Sequence, residues 1–429
     1  MNASHLIGRC FAPKFLLAAL AVVLPVTLQA GVTIRILGDS DVGAGGKWMR
    51  AVCQEWAKKT GNTLEYVNRP KDASDTLRQC QQNWAAHSPD VDVYMIDVIW
   101  PGIAAPHAVD LKKYYTDADL KQFFPRIVEN NTVKGKLVSI PYFTDAGLLY
   151  YRTDLLKKYG YSDPPKTWEE LAEMAKKIQD GERKDGKNDF QGFVFEGTAS
   201  ESITCNAVEW IYSFNGGSVI DPDGKVTINN PNAVKALDNA KSWIGTISPK
   251  DVTTYGEDDA RNVWQQGNAA FMRNWPYAYS LGQASDSPIA NKFDVSVLPK
   301  GGDSGKNAAA LGGWNLMVAS YSKNPDVAAD LVKFLASPEI QKRHAVDISL
   351  LPTRPELYKD SEVTGKNPFF AKMLDVLNNA VSRPSTVTGS DYGQISAAIY
   401  QNANKVLNGG ESGQDAVVNI ERVGKQILQ

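Results

Sequence analysis

The fold is decided by the stretch Ile140-Pro141-Tyr142-Phe143-Thr144-Asp145-Ala146-Gly147-Leu148-Leu149-Tyr150-Tyr151-Arg152. It is mostly apolar and aromatic, with one carboxylate in its middle, which predicts a buried strand. An ionised carboxylate in such a strand is costly unless it is paired. Asp145 is therefore either satisfied by neighbouring protein donors or exposed to a cleft that receives a ligand. We expect the cleft, with the strand crossing between two lobes and Asp145 at the hinge.

The length and composition indicate a multidomain globular protein. At 429 residues the chain exceeds one ordinary core, so two or three domains are expected. It is 43% hydrophobic and 22% charged, which is typical of soluble folded proteins. With 46 Lys+Arg against 48 Asp+Glu, the net charge of -2 gives no basic surplus. A nucleic-acid or anionic-membrane partner is therefore not expected.

The first 30 residues have the layout of a secretory signal peptide. Basic side chains between residues 5 and 14 precede an apolar run from Phe15 to Leu24, and the segment ends in the small residue Ala30. The run is too short to span a bilayer comfortably, so cleavage after Ala30 is favoured over the alternative of a signal anchor. Because Cys10 precedes the apolar run, no lipoprotein site is indicated, and we expect a free periplasmic protein.

Removal of this segment leaves Cys53, Cys80 and Cys205. An odd number means at least one unpaired thiol unless two chains pair. Cys53 and Cys80 lie on successive predicted helices that can cover opposite faces of a sheet, which argues mildly against a bridge and leaves the question open. Three scattered cysteines without nearby histidines do not form a zinc site. No metal or cofactor is expected.

The beginning of the mature chain alternates strand and helix patterns. Strands are predicted at 32–37, 63–67 and 92–96, with helices at 47–59 and 72–85 between them. This order implies a parallel sheet flanked by helices. In such sheets ligands bind beyond the carboxyl ends of the strands. The residues that follow these strand ends form a polar rim with one flat aromatic face: Asp39, Asp41, Asn68, Arg69, Asp97 and Trp100.

Four motifs occur in one order along nearly all of the mature chain. They lie at 95–100 (Met-Ile-Asp-Val-Ile-Trp), around Asp145, at 266–277 (Gln-Gly-Asn-Ala-Ala-Phe, then Asn-Trp-Pro-Tyr) and at 311–314 (Leu-Gly-Gly-Trp). In this combination the chain resembles the extracellular solute-binding proteins (family 1) of ABC sugar importers. Within that family it looks most like the trehalose/maltose-binding proteins. Each motif is a weak signal alone, and their joint order carries the resemblance.

The resemblance implies an α/β, two-lobed periplasmic binding protein fold. Two parallel-rich sheets flanked by helices would be joined by a multi-segment hinge, with crossings near 143–148, 270–274 and 316–322. The ligand would lie in the cleft and be captured by hinge closure. The lobe boundaries implied in this way are 31–143 plus 273–318 for the N-terminal lobe and 144–272 plus 319–429 for the C-terminal lobe.

The resemblance also implies ligand-binding roles. Asp97 and Asp145 would accept hydrogen bonds from sugar hydroxyls, because ionised acceptors make stronger hydrogen bonds than neutral ones. Trp275 and Trp314 would stack on the apolar faces of the sugar rings, since aromatic rings bury area with few rotors. These four residue types match the chemistry of a sugar, which offers many hydroxyls and one or two C–H faces.

Further ligand-binding candidates come from the same resemblance and from the strand ends. Gly313 would let its backbone approach the sugar, and Arg383 would donate to hydroxyl oxygens. Phe143 stands where relatives often carry Tyr, which removes one hydroxyl and bears on specificity. The strand ends add the remaining candidates: Arg69, Asp41, Asp39 and Trp100.

The function implied is capture of a disaccharide, with trehalose as first choice and maltose as second. A monomeric, non-enzymatic subunit would deliver it to permease subunits in the inner membrane. The alternatives are a secreted glycoside hydrolase using Asp97 and Asp145, and a same-fold binder of another oligosaccharide or a sugar phosphate. A phosphate would favour clustered Arg or Lys, whereas the rim holds mainly Arg69 and Arg383 against several Asp. A dinucleotide loop is disfavoured because the glycines at 38, 43, 45 and 46 do not fit its spacing.

Overall fold

The computed structural model describes Met1, residues 31–41 and residues 43–429. The expected signal peptide therefore lies outside the described residues, except for Met1. Within the described part the chain forms a six-stranded sheet, a four-stranded sheet and a two-stranded ribbon, all surrounded by helices. This is the two-lobed α/β architecture that was expected.

The strands are short, and the longest has eight residues. In the described part of the chain they are β1 (Thr33–Gly38), β2 (Thr63–Asn68), β3 (Val93–Asp97), β4 (Thr132–Val133), β5 (Lys136–Leu137), β6 (Ile140–Ala146), β7 (Leu148–Arg152), β8 (Gln191–Val194), β9 (Ala269–Asn274), β10 (Phe293–Ser296), β11 (Leu311–Val318) and β12 (Leu351–Pro352). The six-stranded sheet has the order β12-β6-β11-β3-β1-β2, and the four-stranded sheet has the order β10-β7-β9-β8.

Most helices connect or cover these strands. They are α1 (Gly45–Thr60), α2 (Ala73–Ala85), α3 (Pro101–Ala104), α4 (Asp117–Leu120), α5 (Pro125–Asn130), α6 (Thr153–Lys158), α7 (Trp168–Lys184), α8 (Glu201–Ser213), α9 (Pro231–Trp243), α10 (Glu257–Gln265), α11 (Ala278–Gly282), α12 (Pro325–Leu335), α13 (Pro338–Ile348), α14 (Ser361–Lys366), α15 (Phe370–Asn378), α16 (Ser385–Thr388), α17 (Tyr392–Leu407) and α18 (Gly413–Ile427). None of these helices is long and apolar enough to cross a membrane.

The βαβαβ unit predicted for the start of the mature chain is confirmed. β1 pairs in parallel with both β2 and β3, and α1 and α2 form the two connections. α1 ends at Gly61, whose φ of 73° is the left-handed conformation that glycine adopts most easily. α2 begins after Asp72, whose carboxylate accepts from the backbone N–H groups of Ser74 and Asp75. These local signals place the carboxyl ends of β1, β2 and β3 side by side.

The stretch 140–152 forms two strands that belong to different sheets. β6 pairs with β11 and β12, whereas β7 pairs with β9 and β10. The crossing between the sheets therefore falls at Gly147, inside the expected range 143–148. A Cβ atom at Gly147 would overlap the Glu209 carboxylate and lie 2.6 Å from Arg273 Nη2. Only glycine fits at this crossing without displacing a buried ion pair.

The other two crossings differ from the expected ones. The range 270–274 lies in β9, inside the four-stranded sheet, and the chain returns to the six-stranded sheet only between β10 and β11. The range 316–322 begins in β11, which pairs with β3 and β6. The last crossing falls between α15 and α17, because α17 packs on α8 and α9.

The sheets also assign two segments differently from the expected lobe boundaries. The residues 293–296 pair with β7 in the second sheet, because Phe293 and Val295 alternate into its core. Expected boundaries placed them in the N-terminal lobe. The segment 325–352 belongs with the first sheet, since α12 packs on β11 and β12 pairs with β6. Expected boundaries placed it in the C-terminal lobe.

Most of the tryptophans and all three mature cysteines lie in the interior. The largest fully buried side chains include Trp56, Trp84, Trp100, Trp168, Trp210, Trp243 and Trp264. Cys53, Cys80 and Cys205 are buried and unpaired, so no Cys53–Cys80 bridge forms. Trp275 and Trp314 are different, since each retains 8% of its surface at a cleft between the sheets.

Candidate ligand-binding cleft

A cleft of about 780 Å³, counting the space at its open mouth, lies between the two sheets. It is lined by residues of both sheets and of the crossing segments. The expected site residues that line it are Asp39, Arg69, Asp97, Phe143, Asp145, Trp275, Gly313, Trp314 and Arg383.

Asp39 and Arg69 form a buried ion pair at the ends of β1 and β2. Arg69 Nη2 donates to Asp39 Oδ1 over 3.0 Å, and both side chains are buried. The pair forms because Gly38 and Asn68 are directly opposite in the parallel register. Burial raises the pKa of Asp39, while the charge of Arg69 opposes that rise. The strand-end rule therefore selected two residues that neutralise each other.

Trp314 is held between a cation and a second tryptophan. The guanidinium carbon of Arg69 lies 3.7 Å from the Trp314 ring centroid, a geometry that favours attraction between cation and ring. Trp100 contacts the same ring edge-on, with centroids 5.4 Å apart. Trp100 itself is fully buried and does not line the cleft. It packs against Trp314, and its position does not support the expectation that Trp100 binds ligand directly.

Trp275 is backed by a second arginine. The guanidinium carbon of Arg273 lies 4.0 Å from the Trp275 ring centroid. Arg273 is fully buried and forms ion pairs with Glu196 at 2.9 Å and Glu209 at 2.5 Å. The carboxylate of Glu209 also accepts from the backbone N–H of Ala310, in the segment that crosses between β10 and β11. This network fixes the ring and one crossing together.

Gly313 is required by the neighbouring strand as well as by the cleft. Its φ is +122°, a conformation that side chains rarely adopt. A Cβ atom there would lie 2.5 Å from the carbonyl oxygen of Phe143 and 2.7 Å from the Cα atom of Thr144. β11 and β6 therefore approach closely beneath the cleft floor. The glycine keeps the backbone of β11 accessible beside Trp314.

Arg383 connects the two lobes through the cleft. Its Nη1 donates to Glu201 over 2.7 Å, and its Nη2 donates to Asp97 over 3.2 Å and to the carbonyl oxygen of Leu311 over 3.2 Å. Asp97 is the last residue of β3 in the first sheet. Glu201 is the first residue of α8, which lies beside the second sheet. The Nε atom of Arg383 is buried and has no partner among the described residues. It is the group through which Arg383 can still donate to a ligand.

Asp145 has no protein partner. Only 7% of the residue is exposed, and its Oδ1 atom is buried without a hydrogen bond among the described residues. Burial, followed by the charge of Glu257, raises the pKa of Asp145 well above its usual value. Neighbouring donors of the described residues thus leave the Oδ1 atom unsatisfied, and the role of Asp145 in binding a ligand stays a prediction. The carboxylate faces the cleft, where an incoming donor can satisfy it.

Asp41 is the other expected site residue that does not line the cleft. It is exposed and accepts a hydrogen bond from the side-chain amide of Asn68. α1 begins four positions further along the chain, at Gly45, which lines the cleft where Asp41 does not. The expectation that ligands bind beyond the strand ends identified the correct edge of the sheet. It did not distinguish Asp39, which lines the cleft, from Asp41, which does not.

Sequence reasoning missed several lining residues. Glu201 and Glu257 are the first residues of α8 and α10, and Cys205 lies one turn further along α8. No motif marks them, because an acid in the first helical turn is ordinary. Tyr277 could have been found, since it belongs to the quoted Asn-Trp-Pro-Tyr motif; its hydroxyl is buried without a partner among the described residues.

The chain is similar to one protein family and to several known proteins. Residues 39–342 match the family described as bacterial extracellular solute-binding protein. A probable ABC transporter-binding protein of Deinococcus radiodurans is 56% identical over 376 residues, covering 88% of this chain and 89% of that protein. The structure of maltose-bound T. maritima MalE3 is 38% identical with a TM-score of 0.87, and the match covers 92% of this chain and 100% of that one.

A second solved structure is a solute-binding protein of Thermotoga lettingae bound to α-D-tagatose. It is 26% identical with a TM-score of 0.81, and the match covers 93% of this chain and all, 100%, of that chain. The family match spans more than half of this sequence, and the shared fold has two lobes around a cleft. The chain therefore belongs to the bacterial extracellular solute-binding protein family.

Proposed function

We propose that this protein is the periplasmic solute-binding subunit of an ABC sugar importer. It captures a disaccharide in the cleft between its lobes by hinge closure and delivers it to permease subunits in the inner membrane. Trehalose is the first choice of ligand and maltose the second. The protein acts as a monomer and has no catalytic role.

One observation carries this proposal. The Asp145 carboxylate is buried and lines the cleft, and its Oδ1 atom has no hydrogen-bond partner among the residues that the structure describes. Leaving a buried acceptor unsatisfied costs about 1–3 kcal/mol or more, so its retention favours a ligand that donates hydrogen bonds. Two aromatic faces, Trp275 and Trp314, line the same cleft. A molecule that combines hydroxyl donors with apolar ring faces fits this arrangement.

The choice of a disaccharide is supported by the aromatic lining and by relatives. Two tryptophan rings line the cleft, which gives one apolar face for each ring of a disaccharide. A similar protein of known structure, T. maritima MalE3, was solved with maltose. The Thermotoga lettingae protein was solved with a monosaccharide, so the family fold holds sugars of different length. Trehalose and maltose are therefore the first two sugars to test for binding.

A hydrolase is the second candidate, because two carboxylates near a sugar can also be catalytic. Asp97 is already engaged by Arg383 and by the backbone N–H of Ile99. The relatives named above are binding proteins. The experiment that tests the proposal is calorimetry with intact disaccharides, followed by analysis of the sugar for hydrolysis.

A further inference from the structure

The carboxylates of the cleft fall into two classes. Five acidic side chains line it against two arginines: Asp39, Asp97, Asp145, Glu201 and Glu257, with Arg69 and Arg383. Arg69 neutralises Asp39, and Arg383 is shared by Asp97 and Glu201. Asp145 and Glu257 are left without an ion pair or a side-chain hydrogen bond within the described residues. These two carboxyl groups therefore have no paired cation on one side of the cleft, and burial raises the pKa of both.

Neighbouring cations do not neutralise this pair. Arg273 lies behind Trp275 and is engaged by Glu196 and Glu209, so it is not available to pair with Asp145 or Glu257. The N-terminus of α10, which begins at Glu257, offers only about half a positive charge. The electrostatic balance at this side of the cleft favours a cation.

A second cavity, which shares Glu257 with the cleft, is acidic as well. It is lined by Asp72, Asp75, Asp258 and Asp259 together with Lys71 and Arg78. Lys71 pairs with Asp258 and Arg78 pairs with Asp75, which leaves two carboxylates in excess. A groove of one sign of charge raises the local concentration of oppositely charged ligands. The cavity that adjoins the cleft at Glu257 therefore favours the same sign of ligand as the cleft.

We propose that the cleft prefers a disaccharide that carries one protonated amino group, which binds between the carboxylates of Asp145 and Glu257. This inference rests on the proposed function and specifies the ligand class. An ammonium group supplies three donors and one positive charge. It satisfies the Asp145 Oδ1 atom that a hydroxyl could also reach, and its positive charge stabilises the ionised form of both carboxyl groups, which a neutral sugar does not. The two aromatic rings bind the remainder of the sugar as before.

The test compares matched ligands by calorimetry on the mature chain at pH 7. The probes are trehalose and maltose, their 2-, 4- and 6-monoamino derivatives, and the N-acetylated form of each derivative. We expect at least one monoamino derivative to bind tenfold or more tightly than its parent, and its N-acetylated form to lose that gain. Raising NaCl from 20 to 500 mM should reduce the gain, since salt screens charge attraction.

The Glu257→Gln variant checks the assignment of the pair. We expect it to reduce the preference for the amine to about threefold or less. Glu421→Gln, which removes a carboxylate from the outer helix α18, serves as the control and should keep the full preference. Circular dichroism confirms that both variants fold. If Glu257→Gln fails to fold, the salt dependence of the wild-type protein decides the question alone.

The outcomes separate this inference from the proposed function. Parent disaccharides that bind as tightly as every monoamino derivative would overturn the inference and leave the function standing. A preference for the amine that is insensitive to salt or unchanged in a folded Glu257→Gln variant would also overturn it. Absence of binding by all parents and derivatives would contradict the proposed function itself.

Discussion

The guanidinium carbon of Arg273 lies 4.0 Å from the ring centroid of Trp275, and the same side chain is paired with two buried glutamates. One of these, Glu209, accepts from the backbone N–H of Ala310 and lies against Gly147. The group therefore contacts a binding ring and two of the segments that cross between the sheets. It links the position of Trp275 to the geometry of the hinge.

Arg273→Met should destabilise the protein strongly, because it leaves Glu196 and Glu209 buried without their cation. Removal of one partner from a buried ion pair costs about 3–5 kcal/mol. Urea unfolding followed by circular dichroism measures the change. Arg78→Met is the control, since its pair with Asp75 is exposed and such pairs contribute about 0–1 kcal/mol. Equal stabilities of the two variants would show that the buried group is not a structural element.

Asp145→Asn should weaken sugar binding without lowering stability. A hydrogen bond to a charged acceptor contributes about 1.5–3 kcal/mol, so affinity should fall about ten- to hundredfold. The unliganded protein should melt at the same or a higher temperature, because an unpaired buried charge is removed. Calorimetry and thermal melting check the two halves of this prediction. Unchanged affinity would exclude Asp145 from the site.

Trp314→Ala and Trp275→Ala should each reduce affinity by about tenfold or more, since each removes a ring face for stacking. Trp314→Phe should keep part of the affinity because a smaller face remains. Titration of intrinsic fluorescence or calorimetry gives the constants. Trp48, which is partly exposed and stacks on His344 outside the cleft, provides the control substitution Trp48→Ala. A loss of affinity in the control equal to that in the cleft variants would contradict the assignment.

Stability should fall as pH rises from about 5 to 8. Burial raises the pKa of Glu257 from 4.5 to about 8 and that of Glu196 to about 7. Between the unfolded and folded pKa values the folded protein holds more protons, so the free energy of unfolding decreases with increasing pH. Glu257→Gln should make this decrease shallower. Melting temperatures at half-unit pH steps test it, and an identical slope in the variant would refute the contribution of Glu257.

Gly147→Ala should destabilise the protein and alter closure, because the added methyl group overlaps the Glu209 carboxylate. Overpacking of this kind costs about 1–3 kcal/mol. Gly393→Ala is the matched control: nothing lies within 4 Å of its Cβ position in α17, and the change should stay within about 1 kcal/mol. Denaturant unfolding and small-angle scattering with and without sugar report the two effects.

The resemblance to a known family predicted the two-lobed architecture and five lining residues, namely Phe143, Trp275, Gly313, Trp314 and Arg383, whereas local patterns predicted the others. The strand-end rule located Asp39, Arg69 and Asp97, and the stretch around Asp145 identified the first crossing. The other crossings were misplaced because β9 and β11 have the apolar patterns of any buried strand. Pattern alone does not tell which of two sheets a buried strand joins.

The remaining site residues depend on tertiary contacts. Glu257 enters the cleft only because α10 begins at its edge. Trp100 does not line the cleft because the ring of Trp314 packs against it. Arg273 looks like an ordinary strand residue in the sequence, and its pairing with Glu196 and Glu209 joins positions 64 or more residues apart. The spacing of residues within one helix or strand does not predict contacts between positions so far apart in the sequence.

The most direct test of the account is isothermal calorimetry of the mature chain with trehalose, maltose, sucrose and glucose, with each sugar analysed for hydrolysis afterwards. If the protein is a disaccharide-binding subunit, one disaccharide will bind with a dissociation constant in the micromolar range or lower. This corresponds to a binding free energy of about −8 kcal/mol or better, and the sugar will be recovered intact. Cleavage of the bound sugar would contradict the binding role, and the absence of heat with every sugar would contradict the proposed ligand class.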